Sequence, residues 1–178
     1  MSGRSSRGWL WVAALVAALV LPVVVAGALW WWQQDRLSDA EATVDADRAA
    51  LDAATRETLA WATVDYREVD EYIERVRSSA TGRFLAQWEE REEALRALLG
   101  ELEPVQVPTI PKDGAGLICG AAEKCDEGDA QALIAMDATV TNKNTKQPVP
   151  RQYRIKVTLE ESGEDWLVEN LEYIDAQA

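Results

Sequence analysis

Residues 9 to 32 read WLWVAALVAALVLPVVVAGALWWW with no charge among them, and no other feature constrains the chain as tightly. As a helix rising about 1.5 Å per residue the run is about 36 Å long, enough to cross a hydrocarbon core of about 30 Å with some tilt. Trp9 and Trp11 at one end and Trp30, Trp31 and Trp32 at the other are expected as membrane anchors, because indole rings gain by sitting at the headgroup level. Arg4 and Arg7 precede the run, whereas Gln33, Gln34, Asp35 and Arg36 come after it. The positive-inside bias therefore puts the N-terminus in the cytoplasm and the rest outside a plasma membrane crossed once. Pro22 reads as a kink, tolerable where neighbouring helices re-satisfy the freed carbonyl. Ala26-Gly27-Ala28 mimics a signal-peptidase site, so a cleaved secretory signal is the competing reading; both readings export the remainder of the chain.

The expected organisation is a cytoplasmic tail over 1–8, a transmembrane helix over 9–32, a juxtamembrane helix over 33–62 and an extracytoplasmic domain over 63–178. Beyond the apolar run, 16 Lys and Arg stand against 31 Asp and Glu, a balance that repels a phosphate backbone and argues against nucleic-acid partners. The chain has no His and two Cys. Ser-His-Asp and Cys-His catalysis, His metal sites and four-ligand zinc patterns are thereby excluded.

Leu37 to about Ala62 is rich in Ala, acids and Arg, with Leu37, Val44 and Leu51 seven residues apart. The pattern predicts a polar helix with a narrow apolar seam, a solvated stalk rather than a coiled coil, and Ser38 with Glu41 suits a capping box at its start. Asp65 and Glu68 suggest another helix start, followed by Val69, Tyr72, Ile73 and Val76 on one face. Thr81-Gly82 interrupts. Phe84, Leu85, Trp88, Leu95, Leu98 and Leu99 then describe a longer helix that Gly100 is expected to close, with Glu89, Glu90, Glu92 and Glu93 mainly on its outer face and Glu92 spaced to meet Arg96. Past Gly100 the period becomes two. Val105, Val107 and Ile110 among three prolines suit an edge strand, Ile134 to Val140 and Tyr153 to Glu160 alternate as half-buried strands around a polar loop from Thr141 to Pro150, and Glu161 to Asp165 turns into a last strand from Trp166 to Ile174. Helices followed by an antiparallel meander give an α+β class, helices packed on one face of a curved sheet.

Trp61-Ala62-Thr63-Val64-Asp65-Tyr66-Arg67, Ala80-Thr81-Gly82-Arg83-Phe84 and Trp166-Leu167-Val168, in this order after a single span and an Ala-rich helix, resemble the landmarks of the Mce-associated membrane proteins of actinobacteria over nearly the whole chain. That family is similar in fold to the nuclear transport factor 2 (NTF2) superfamily, three helices on a bent antiparallel sheet forming a cone. The resemblance implies a non-enzymatic accessory subunit that stabilises or assembles a Mce-type lipid or sterol importer, with the bilayer, Mce proteins and permease subunits as partners, no cofactor and no catalytic residues to carry over. The chain departs from the family's pattern in its loop from Gly114 to Asp129, which holds both cysteines.

Cys119 and Cys125, close in sequence on an exported domain, are expected to form a local disulfide. Asp126, Glu127 and Asp129 beside them read as a solvated loop, lacking the EF-hand's twelfth-position carboxylate. Gly114, Gly116 and Gly120 do not complete a phosphate-binding motif. Two other functions stay open. Assembly factors of type IV secretion share the plan of one span followed by this fold. A lipid-binding or enzymatic cone would need an apolar cavity lined by Tyr153, Ile155, Val157, Phe84 and Trp88, or proton transfer by Asp65, Asp137 or Tyr66, although Asp65 reads better as a helix cap and Asp137 as a residue of the polar strand face.

Overall fold

The computed structural model describes residues 30–31, 36, 39–163 and 165–174. The expected span lies outside these residues except for Trp30 and Trp31, which are helical and exposed. No helix among the described residues is long and apolar enough to cross a membrane. The chain divides into two compact units, Met1–Ala42 and Thr43–Ala178, and the second contains the whole sheet.

Helix α1 occupies 39–62. Its inward stripe is made of small residues: Ala50, Ala53, Ala54, Thr58 and Ala62 are each at most 1% exposed. Positions four apart stack on one helix face, and short side chains let the helix axis approach a sheet closely. The expected stalk is therefore revised. The second half of α1 belongs to the core, with Ala50, Ala54 and Ala62 in one cluster with Ile134, Ile155, Val157 and Leu159. Of the proposed seam, Leu51 packs against that cluster and Val44 faces solvent, while Leu37 and Ser38 lie outside the described residues. Alanine carries so weak a hydrophobic signal that the branched residues misdirect the reading of the face.

Val64–Asp65 is a two-residue strand, β1, absent from the expected elements. Asp65 then caps a 3-10 turn over Tyr66–Glu68, its carboxylate accepting from the Arg67 backbone N–H at 3.0 Å. Helix α2 (Val69–Ser78) buries Tyr72, Ile73 and Val76, three residues of the expected stripe. Helix α3 runs Gly82–Leu102. It passes through Gly100 and ends at Glu103, a left-handed residue with φ 49° whose N–H reaches the Leu99 carbonyl. The expected glycine stop is thus corrected, because an in-helix Gly without a left-handed φ leaves the ladder running. Leu98, assigned to the apolar face, is half exposed, and Leu99 is the residue that buries. Glu92 also departs from the solvated face. It sits between α2 and α3, pairing with Arg77 and with Arg96 at 3.1 Å.

The sheet runs β1-β2-β4-β5-β6, with β3 beside β2 along β4, all antiparallel. β2 is Val105–Thr109, β3 Ala115–Cys119, β4 Ala130–Asn142, β5 Thr145–Ser162 and β6 Asp165–Tyr173. In β4 residues 130, 132, 134, 136 and 138 are all buried, so one face of the strand forms the floor of the core. Two expectations are corrected here. Part of the irregular segment after Gly114 is strand β3, where Leu117 and Ala115 alternate inward against Ala132 and Ile134. The loop expected from Thr141 to Pro150 is a tight hairpin, because the Asn142 side chain accepts from the backbone N–H groups of Asn144 and Thr145 at 2.8 and 2.9 Å. Pro148 and Pro150 fit within β5 because β6 covers only residues 155–162 of it, leaving an open edge where a missing N–H breaks no ladder.

The turn between α2 and α3 is pinned to β6. Val168 N–H donates to Ser79 and Thr81 N–H to Val168, both at 2.8 Å. Gly82 has φ +48°, and a Cβ there would lie 3.0 Å from the Glu169 side chain, so two constraints favour glycine.

Because Ala54 is fully buried against the sheet, Ala54→Leu overpacks the interface and is expected to lower unfolding free energy by about 1–3 kcal/mol, while Val44→Leu leaves it within about 0.5 kcal/mol. Denaturant midpoints of the two variants check the assignment of the buried face.

Candidate functional site

The end of α1 sets the geometry of the open end of the sheet. A helix leaves its last carbonyls without internal partners, and here other elements supply donors. Arg75 of α2 donates Nη2 to Thr63 O at 3.0 Å and Nε to Ala60 O at 3.4 Å, the Tyr72 hydroxyl donates to Trp61 O at 3.0 Å, and Gln106 of β2 donates Nε2 to Ala62 O at 2.8 Å. Around this plug stands an aromatic rim. Trp61 and Tyr153 each lie beside Tyr173, with ring centroids 5.8 and 5.9 Å apart, and the Tyr153 hydroxyl donates to Gln106 Oε1 at 3.3 Å. Burial pushes the Tyr72 hydroxyl far above its ordinary range and the half-exposed Tyr173 up to about 12.

Two open grooves flank this rim, of about 530 and 570 Å³. They share Asp137, Arg151 and Gln152; the first adds Met136, Tyr153 and Tyr173, the second Val107, Thr139 and Pro150. The interior a ligand-holding cone would keep open is occupied by side chains. Ile155 and Val157 are 0% exposed, with Phe84 and Tyr153 packed against their cluster. Trp88 fills the neighbouring cluster, edge-on to Tyr72 at 5.6 Å.

The candidate acid-base groups are not brought together. Asp65 pairs opposite Val105 and Asp137 opposite Thr109, four positions along β2 or about 13 Å of strand. The Arg67 guanidinium and backbone N–H hold the Asp65 carboxyl below its ordinary value, and the same guanidinium lies 6.0 Å from the Tyr66 ring centroid. Asp137 is exposed and accepts from the Gln152 amide at 3.1 Å. As arranged, these groups make local structural contacts.

Cys119 and Cys125 are joined by a disulfide, with Cα atoms 5.4 Å apart. The loop it closes lies on α1: Ala121 N–H donates to Asp47 Oδ1 at 2.7 Å, and a Cβ at Gly120 would sit 2.5 Å from that oxygen, so a larger residue there would displace the Asp47 carboxylate. Asp129 at the loop's end accepts from Glu161 N–H at 2.9 Å, a structural anchor within the acidic cluster. Sequence reasoning missed the carbonyl plug, since Arg75 and Gln106 bear no pattern that marks them; only the spacing of Tyr72 placed it on the buried face.

Opening the seven-residue disulfide ring through Cys119→Ser with Cys125→Ser is expected to cost about 2 kcal/mol, read from denaturant unfolding with and without reductant. Tyr72 and Tyr173 ionise more readily unfolded, where tyrosine titrates near 10.0, than folded. Their contribution is therefore full below that pH and is lost as pH rises toward and beyond 12. Tyr72→Phe should flatten this alkaline decline, while costing about 1–3 kcal/mol at neutral pH for the Trp61 carbonyl it leaves unbonded, both read from unfolding midpoints across the pH range.

The family described as uncharacterized protein Rv1363c/MT1408-like matches residues 10–175. Uncharacterized protein Rv1363c of Mycobacterium tuberculosis (strain ATCC 25618 / H37Rv) is 27% identical over 136 residues, 75% of this chain and 49% of that protein, so the chain spans about half the length of this curated relative. Among solved structures, the periplasmic domain of DotI superposes with a TM-score of 0.52 at 13% identity, covering 73% of this chain and 96% of that one. TraE, in complex with 4-(1H-pyrrol-1-yl)pyridine-2-carboxylic acid, gives 0.50 at 12%, covering 68% and 91%. These likenesses are of fold: three helices on a curled antiparallel sheet, similar to NTF2-like folds. A match over residues 10–175 spans the helices and the entire sheet, and the chain belongs to the Rv1363c/MT1408-like family.

Proposed function

We propose that the chain is a single-pass, membrane-anchored scaffold subunit of a Mce-type lipid or sterol import complex, its folded domain held on the outer side of the plasma membrane. The observation that carries a scaffolding role is the filled interior: Ile155, Val157, Phe84 and Trp88 occupy one another where a substrate would otherwise sit. A packed interior with its carboxylates tied to Arg67 and Gln152 supports binding partners through the surface and not turning over a ligand. The three landmarks of the resemblance also serve structure: Asp65-Tyr66-Arg67 forms the capped turn, Thr81-Gly82 docks on β6, and Val168 receives it. The charge-free run at 9–32 supports anchoring, and likeness in fold to a domain described as periplasmic supports export.

A second reading is a bitopic assembly factor of a type IV secretion or conjugation system, which the same plan of span and fold suits equally. Solubilising the tagged full-length protein from its native membrane and identifying co-purifying subunits separates the two. Mce proteins and their permease are the expected companions, and secretion ATPases or channel components in their place would overturn the import reading. Protease added outside intact spheroplasts should degrade the 43–178 portion; full protection would overturn the topology.

A further inference from the structure

The charge of this chain is segregated. From Ala138 to Leu159 there are five cations, Lys143, Lys146, Arg151, Arg154 and Lys156, and no acid. Beyond the apolar run, 11 other cations face all 31 acids. In so acidic a protein this stretch, the turn end of the longest hairpin, is bounded by acids only at Asp137 and Glu160. The cations are also mostly uncompensated: Lys156 pairs with Glu172 at 3.1 Å, but among the described residues no carboxylate pairs with Lys143, Arg151 or Arg154, which are all exposed. Asp137, the carboxylate nearest along the ladder, is engaged by Gln152.

Across the paired strands β2, β4 and β5 lies the open groove of about 570 Å³, lined by Val107, Asp137, Thr139, Pro150 and Arg151, with Val107 58% exposed. Apolar walls beside unpaired cations suit a surface bearing both an apolar side chain and acids.

From this we infer that the β4–β5 hairpin is a docking surface for an acidic face of a partner protein, one of the exported subunits of the assembly; the inference rests on the scaffold reading above. Three features select that occupant. Strand addition along the free edge of β5 is blocked by Pro148 and Pro150, so the contact is made by side chains. The hairpin tip lies at the end of α3, where Lys143 N–H donates to Leu102 O, and the 13 residues of β4 span about 40 Å between this tip and the disulfide loop that holds Asp47. The tip thus stands far from the disulfide loop and from the end at which the chain enters the domain, where a partner can reach it. Finally, a formal charge of −13 per chain opposes pairing with a second copy.

The test compares full-length tagged wild type, a triple reversal (Lys143→Glu, Arg151→Glu, Arg154→Glu), the corresponding triple alanine variant, and a reversal on the exposed face of α3 (Glu89→Lys, Glu90→Lys, Glu93→Lys), each solubilised from membranes with co-purifying subunits quantified. The expected result is at least a tenfold loss of exported subunits for the hairpin reversal, an intermediate loss for the alanine variant, no loss for the α3 control, and sensitivity of the wild-type contact to about 0.5 M salt. Unaltered melting of the hairpin variants keeps a loss attributable to the surface. Retention of all subunits by the triple reversal overturns the inference. So does flotation of wild type but not the reversal with anionic phospholipid vesicles, which would assign the surface to a bilayer. Salt-sensitive co-purification of two differently tagged copies would assign it to self-association and overturn it likewise. Wild type that recovers other exported subunits, lost on reversal, refutes the import reading alone and leaves the docking surface standing.

Discussion

The docking of α1 on the sheet is the contact on which the rest depends. Ala50, Ala54, Thr58 and Ala62 bring the helix against β4 and β5, and its final carbonyls are received by Arg75, Tyr72 and Gln106. Two kinds of complementarity act together. Small side chains permit the close approach, and satisfied carbonyls remove the penalty of ending a helix in a half-buried place. Because the donors come from α2 and β2, the terminus of α1 fixes elements that are distant in sequence. Asp47, held by the Ala121 N–H in the disulfide loop, secures the earlier part of the buried segment in the same way.

With α1 seated, side chains fill the core on the concave side of the sheet. Ile134, Met136, Ile155, Val157 and Leu159 are each at most 1% exposed, and Phe84 packs against both core clusters. On the surface, polar groups act as fasteners: Asp65, weighed for proton transfer, on Arg67, Asp129 on the Glu161 N–H, and Glu92 between Arg77 and Arg96. An exposed ion pair such as Asp65 with Arg67 contributes little by itself, and the value of these contacts is in fixing turns and helix contacts whose stability comes from burial.

Strand edges are managed by composition. The two-residue β1 covers only Val105 and Gln106 of β2, and Pro108 falls just past its end. Pro148 and Pro150 occupy the uncovered half of β5. An unpaired strand is a template for unwanted pairing, and proline removes the donor that such pairing needs. The same long hairpin whose free edge carries prolines also carries Lys143, Arg151 and Arg154, with which no carboxylate pairs among the described residues.

What the sequence determined by itself was whatever a local repeat can encode. The apolar stripe of α2 follows from the spacing of Tyr72, Ile73 and Val76, and the strands follow from alternation in β4 and β5, because a period of 3.6 or 2 assigns one face to the interior before any partner is known. Asp65 was legible as a cap for the same reason, although it caps the 3-10 turn ahead of α2 and not the helix that carries Tyr72. The tertiary structure decided what depends on distant partners. The inward face of α1 is made of alanines whose burial only the sheet reveals, α3 continues through Gly100 because nothing imposes a left-handed φ there, the hairpin at Asn142 closes through a side chain that could equally sit in a loop, and the carbonyl plug joins residues 60–63 to Tyr72, Arg75 and Gln106. Those outcomes rest on the energy of contacts between segments, which spacing along one segment does not contain.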